Sequence, residues 1–69
     1  MDLRQVITKN IATIVRSSSK TQMQIASEMG VSNQTITDYV LGNSVPTVFT
    51  LVKLCQVLDC NYDDILGNL

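Results

Sequence analysis

The sequence predicts an all-α fold: a compact domain of five short helices. Three observations predict it. Apolar residues recur at the 3.6-residue helical period along most of the chain. Capping residues and glycines punctuate that pattern at regular places. No alternation of Val, Ile and Thr marks a strand. At 69 residues the chain is expected to form one domain, 1–69, with a modest core.

Each element has its own justification. Leu3, Val6, Ile7, Ile11, Ile14 and Val15 lie on one stripe, and Asp2 with Gln5 reads as a capping box ahead of them. Ser17-Ser18-Ser19 stops this first helix, because short hydroxyl side chains compete for backbone hydrogen bonds. Thr21 with Gln24 is a second capping box, opening a helix whose apolar face is Ile25, Ala26 and Met29. Gly30 stands where a left-handed residue is wanted. Ser32 caps a third helix with Ile36, Tyr39 and Val40 turned inward, closed by Gly42-Asn43. After the Val45-Pro46 turn, Thr47 caps a fourth helix over 48–58. It is apolar except for the narrow stripe Thr50, Lys53 and Gln56, and a helix of this kind is expected to be packed on several sides. Asn61 with Asp64 opens a last helical turn carrying Tyr62, Ile65 and Leu66, which Gly67 ends.

Composition removes several function classes. With no histidine and two cysteines the chain cannot build a four-ligand zinc site, a Ser-His-Asp triad or a Cys-His pair. No enzyme activity and no cofactor are expected. Cys55 reads as a small buried hydrophobe and Cys60 as a surface residue. Asp59, Asp63 and Asp64 lack the alternating ligands of a calcium loop. No apolar run approaches the roughly 18 residues of a membrane span, and Met1-Asp2-Leu3-Arg4 has no signal-peptide apolar region, so a cytoplasmic protein is expected. The net charge of −1 is unevenly spread. Residues 1–20 carry Arg4, Lys9, Arg16 and Lys20 against Asp2. Residues 21–69 carry Lys53 against Glu28, Asp38, Asp59, Asp63 and Asp64. A split of this kind puts one basic face on an acidic protein.

The stretch Gln22 to Leu41 carries the functional signal. Two helices joined by a tight glycine turn have the form of a helix-turn-helix. Ala26 is small where the second helix crosses over it, Gly30 takes the positive φ of the turn, and Val31 plugs the space beneath it. Asn33, Gln34, Thr37 and Asp38 are left together on the outer face of the second helix.

On these residues the sequence resembles the lambda-repressor-like helix-turn-helix family, the phage repressor and Cro type, from about residue 7 to residue 67. The segments 51–58 and 61–66 are similar to the family's fourth and fifth helices. The resemblance implies sequence-specific binding of duplex DNA by a bacterial or phage-encoded transcriptional regulator, a repressor acting by occlusion. Its partners would be a palindromic operator and a second copy of itself. The recognition helix would enter the major groove, with Asn33 and Gln34 on adenine edges, Asp38 on cytosine N4 and Thr37 on a thymine methyl. Gln22 matches the family's phosphate-contacting glutamine, with Thr21, Lys20, Ser32 and Asn43 as phosphate neighbours. The fourth helix and the tail residues Ile65, Leu66 and Leu69 are the expected homodimer contact.

Two departures from the family pattern stand out. Asn43-Ser44-Val45 is uncharged where basic residues are common. The family's Arg near the end of the first helix and Glu at the end of the third are replaced by Val15 and Val40, which predicts that these two share one apolar cluster. The alternative to a DNA-binding regulator is a protein-interaction module on the same fold, an antitoxin-like or anti-repressor subunit. The acidic balance and the uncharged loop favour it; Gln22, Asn33 and Gln34 oppose it.

Overall fold

The computed structural model describes residues 2–67, in which five helices and no strand occur. They are α1 (Leu3–Ser17), α2 (Gln22–Met29), α3 (Asn33–Leu41), α4 (Val48–Leu58) and α5 (Tyr62–Leu66). α1 packs against both α3 and α5, while α2 packs against α3 and α4. Ile11 and Val15 of α1, Ile25, Ala26 and Met29 of α2, and Ile36 and Tyr39 of α3 meet Leu54 and Cys55 of α4 and Ile65 of α5 in one core.

The helix ends follow from local chemistry. Thr21 Oγ1 accepts from Gln24 N–H at 3.1 Å while Thr21 N–H donates to Gln24 Oε1 at 2.7 Å, a complete capping box. Ser32 and Thr47 accept from the backbone N–H groups of Thr35 and Thr50. Asn61 N–H donates to Asp64 Oδ2 at 2.9 Å. At the other ends, Gly30 (φ 73°) and Gly42 (φ 82°) take the left-handed conformation. Beyond them Val31 N–H bonds Ala26 O at 3.0 Å and Asn43 N–H bonds Asp38 O at 2.8 Å, the six-to-one bond of a Schellman motif.

α4 ends in the same way through Asp59, whose φ of 54° is the one positive value at a non-glycine residue among those described. Cys60 N–H then reaches Cys55 O at 3.0 Å. A Schellman motif usually brings an apolar contact between these two positions, and here it joins Cys60 to the buried Cys55. Cys60 is therefore half-buried against the core rather than a surface residue.

Four further expectations change. The cap of α1 is a single bond, Arg4 N–H to Asp2 Oδ1 at 3.1 Å, without the reciprocal Gln5 bond of a box. Leu3 begins the α1 stripe but is 50% exposed. α4 is packed against α2 and α5 but bare on its outer side: Leu54 and Cys55 are buried and Leu51, Val57 and Leu58 half-buried, while Val48 is 78% and Phe49 91% exposed. Ile65 is fully buried and bonded into the fold, its carbonyl accepting from Asn10 Nδ2 at 2.8 Å, so it offers no surface to a second copy. Of the other tail residues, Leu66 is half-buried and Leu69 lies outside the described residues.

Val15 and Val40 both belong to the apolar cluster, Val15 buried and Val40 half-buried against it. The two valines form part of an apolar junction between α1 and α3.

Candidate nucleic-acid interface

The outer face of α3 follows from its inner one. Ile36 and Tyr39 are buried and Val40 half-buried, which turns Asn33, Gln34, Thr37, Asp38 and Leu41 to the opposite side of the helix. Asn33 and Gln34 are exposed on the first turn, and Thr37 and Asp38 are half-buried one turn on. Leu41 extends the face and is 64% exposed. Leu41 is not among the contacts that the resemblance implies. The available signal was its place seven residues after Gln34 and three after Asp38, on a helix whose other apolar residues point inward.

Two hydrogen-bonded groups organise this face. In the first, Thr37 Oγ1 donates to Asn33 O at 3.1 Å and accepts from Gln22 Nε2, so the first residue of α2 is tied to the middle of α3. Gln22 retains its amide oxygen and a second N–H. In the other, Asp38 Oδ1 accepts from Gln34 Nε2 at 3.0 Å and from Asn43 Nδ2 at 3.5 Å. The carboxylate thereby orients Gln34, whose amide oxygen and remaining N–H are the donor–acceptor pair that an adenine edge matches. Asp38 is also the one charged residue of α3, so the amides around it offset negative charge on this face.

The remaining candidates divide. Thr21 and Ser32 are exposed N-caps at the starts of α2 and α3, their oxygens already accepting cap bonds. Asn43 is exposed just beyond α3. Lys20 is not placed with them. Its ammonium donates to Glu28 Oε1 at 2.9 Å and to Val57 O at 2.8 Å, neutralising a carboxylate on α2 and capping the carbonyl end of α4. A phosphate at Lys20 would have to compete with these two partners. Among the described residues this is the one ion pair, so Arg4, Lys9, Arg16 and Lys53 have no carboxylate partner. No group of three or more potential metal ligands occurs among the described residues, and no helix among them is long and apolar enough to cross a membrane.

Neither thiol is poised as a nucleophile. Burial pushes Cys60 up to about 12, helped by its hydrogen bond with Cys55 and by the carboxylates of Asp64 and Asp59. Burial also raises Cys55. The pair is structural.

Comparison with known proteins agrees with this geometry. A helix-turn-helix family model matches residues 13–65. The RstR transcriptional repressor of the cryptic phage CTXphi in Vibrio cholerae is 33% identical over 61 residues, which are 88% of this chain and 54% of that protein. This chain thus spans about half the length of that relative. The HTH-type transcriptional regulator y4dJ of Sinorhizobium fredii is 30% identical over 66 residues, 96% of this chain and 86% of its own. The solution structure of LexA, the SOS-response transcriptional repressor of Eubacterium rectale, superposes with a TM-score of 0.84 at 26% identity, over 94% of this chain and 69% of that one. With the family model spanning most of the chain and a fold that carries its motif, the protein belongs to the lambda-repressor-like helix-turn-helix family.

Proposed function

We propose that the protein is a repressor that docks α3 in the major groove of a palindromic operator as a homodimer and blocks transcription by occlusion. The observation that carries this reading is the outer face of α3, where Asn33 and a Gln34 held by Asp38 present two amides side by side. Each amide can make the bidentate contact to adenine N6 and N7. The methyl group of Thr37 is of the kind that packs on a thymine methyl, and Asp38 can accept from cytosine N4 through its second oxygen. Gln22 spends one N–H on Thr37 and keeps the other for a phosphate, which links the position of the backbone to the base-reading face. Thr21, Ser32 and Asn43 supply further phosphate contacts, and Lys20 does not. The reading requires no cofactor and places the protein in a bacterial cytoplasm, encoded by a bacterium or a phage.

The test begins with selection of bound fragments from a random duplex pool. Asn33→Ala and Gln34→Ala should each cost roughly 1–3 kcal/mol on the selected site and little on random DNA. Equal losses on both kinds of DNA would make these residues phosphate contacts. If no duplex is retained, the protein-interaction module becomes the reading to pursue, a role for which the exposed apolar face of α4 is the supporting observation.

A further inference from the structure

The exposed face of α4 has two unlike halves. Val48 and Phe49 form a bare apolar knob at its N-terminal end, with Lys53 beside them. At its C-terminal end lies an open groove of about 460 Å³. Val52, Cys55, Cys60 and Tyr62 line it, and the carboxylates of Asp59 and Asp63 stand at its rim. Val52 and Gln56 border both halves.

We infer that this face binds a second copy of itself, with Phe49 of each chain seated in the α4–α5 groove of the other. The inference deepens the homodimer reading above and rests on it. A two-fold contact must be self-complementary, each patch serving as both donor and receiver. A two-fold axis near Gln56 sets the two α4 helices antiparallel. Residues before Gln56 on one copy then oppose residues after Gln56 on the other. That single operation places the knob against the groove and the unpaired Lys53 against the acidic rim, twice over. The charges agree with it: Lys53 is the one cation of residues 21–69, and the groove is edged by carboxylates. A partner with a different surface would have to supply both an aromatic knob with a cation and an acid-edged groove, which a second copy carries already.

The contact is small. About half a dozen side chains per copy fall short of the roughly 20–30 residues of a standard interface. Self-association without DNA should therefore be weak, with a Kd of roughly 0.1–1 mM. On a palindrome, where the neighbouring site raises the effective concentration into the millimolar range, the same contact becomes cooperative binding.

The experiment follows self-association of the free protein by sedimentation and by amide chemical shifts, over roughly micromolar to millimolar chain concentration. The wild type should dimerise, with shifts centred on Phe49, Lys53, Cys60 and Tyr62. Phe49→Lys, a change at a surface position, should abolish dimerisation and cooperativity on the selected palindrome while single half-site affinity stays within about twofold. Lys53→Glu alone and Asp59→Asn/Asp63→Lys alone should each fail to self-associate, and their mixture should form a heterodimer. Asparagine is chosen at position 59 because it tolerates the left-handed backbone there. A wild type that stays monomeric at every concentration, a Phe49→Lys protein that dimerises normally, or a charge-swapped mixture that remains monomeric would each overturn the inference. Because self-association of the free protein and the charge-swapped mixture are measured without DNA, their failure is distinct from failure of the DNA reading, which would appear as a wild type that retains no duplex.

Discussion

At the scale of single residues, side chains with similar sequence credentials fall into different roles. Lys20 and Gln22 both precede or open α2, yet Lys20 turns toward Glu28 and Val57 while Gln22 turns to Thr37. Replacing Lys20 by Met should lower stability by about 1 kcal/mol, from loss of a charge-assisted bond to the end of α4, discounted for a partly exposed ion pair. The salt dependence of DNA binding should not change. Urea denaturation checks the first outcome and a salt titration of affinity the second; a shallower salt slope would restore Lys20 to the phosphate contacts. Cys60 gives a pH dependence. Its thiol ionises near 9.0 when free and is pushed up to about 12 in the fold. The unfolded chain therefore loses this proton first. The stability it contributes is complete below about pH 9 and is lost as pH rises from there through about 12. Urea midpoints between pH 8 and pH 11 should fall less steeply for Cys60→Ala than for the wild type.

At the scale of elements, the α1–α3 junction shows what an apolar exchange requires. Val15 is buried and Val40 half-buried in one cluster. Val40→Glu places a carboxylate there without its family partner. Full enclosure would cost roughly 3–5 kcal/mol. Because Val40 keeps some contact with solvent, a loss of about 2 kcal/mol is expected, and Val15→Arg added to it should recover part of that loss. A double-mutant cycle by denaturation measures the coupling, and additive losses would mean that the two positions do not communicate. α4 teaches the converse lesson. Its near-continuous apolar sequence suggests burial all round, but helices of a five-helix fold this small cannot cover every side of it. The uncovered side, with Phe49 at its tip, stands in solvent.

At the scale of the whole molecule, charge decides how strongly the protein engages DNA. With Lys20 committed to the fold and Asn43-Ser44-Val45 uncharged, phosphate contacts must come from polar side chains and from few cations. About three phosphate neutralisations per subunit are expected, hence a slope of log affinity against log salt near −3 per subunit. These three would be Arg4, Lys9 and Arg16 of α1, and a slope steeper than about −4 per subunit would mean that Lys20 or Lys53 reaches the backbone as well. Sequence preference should therefore weigh more in affinity here than in a strongly basic relative, and a selected site should be distinguished from random DNA even at moderate salt.

Much of this was legible in the chain before any coordinates. Helix ends are local: a capping box such as Thr21 with Gln24 or a left-handed glycine such as Gly30 involves residues a few positions apart, and short-range sterics and hydrogen bonds decide them. The core faces of α2 and α3 were equally readable, since an amphipathic period fixes which side of a helix turns inward, and with it the outward side bearing Asn33, Gln34, Thr37 and Asp38. What tertiary structure alone decided depends on which neighbour a side chain meets. Lys20 meets a carbonyl 37 residues away, Asn10 bonds the carbonyl of Ile65 across 55 residues, and Cys60 folds back onto Cys55. No periodicity encodes these partners. The same holds for Ile65 and Phe49, both apolar and both on helices with an apolar face. One is sealed against α1 and the other stands in solvent, because burial is settled by how many helices arrive at a surface rather than by how apolar that surface is.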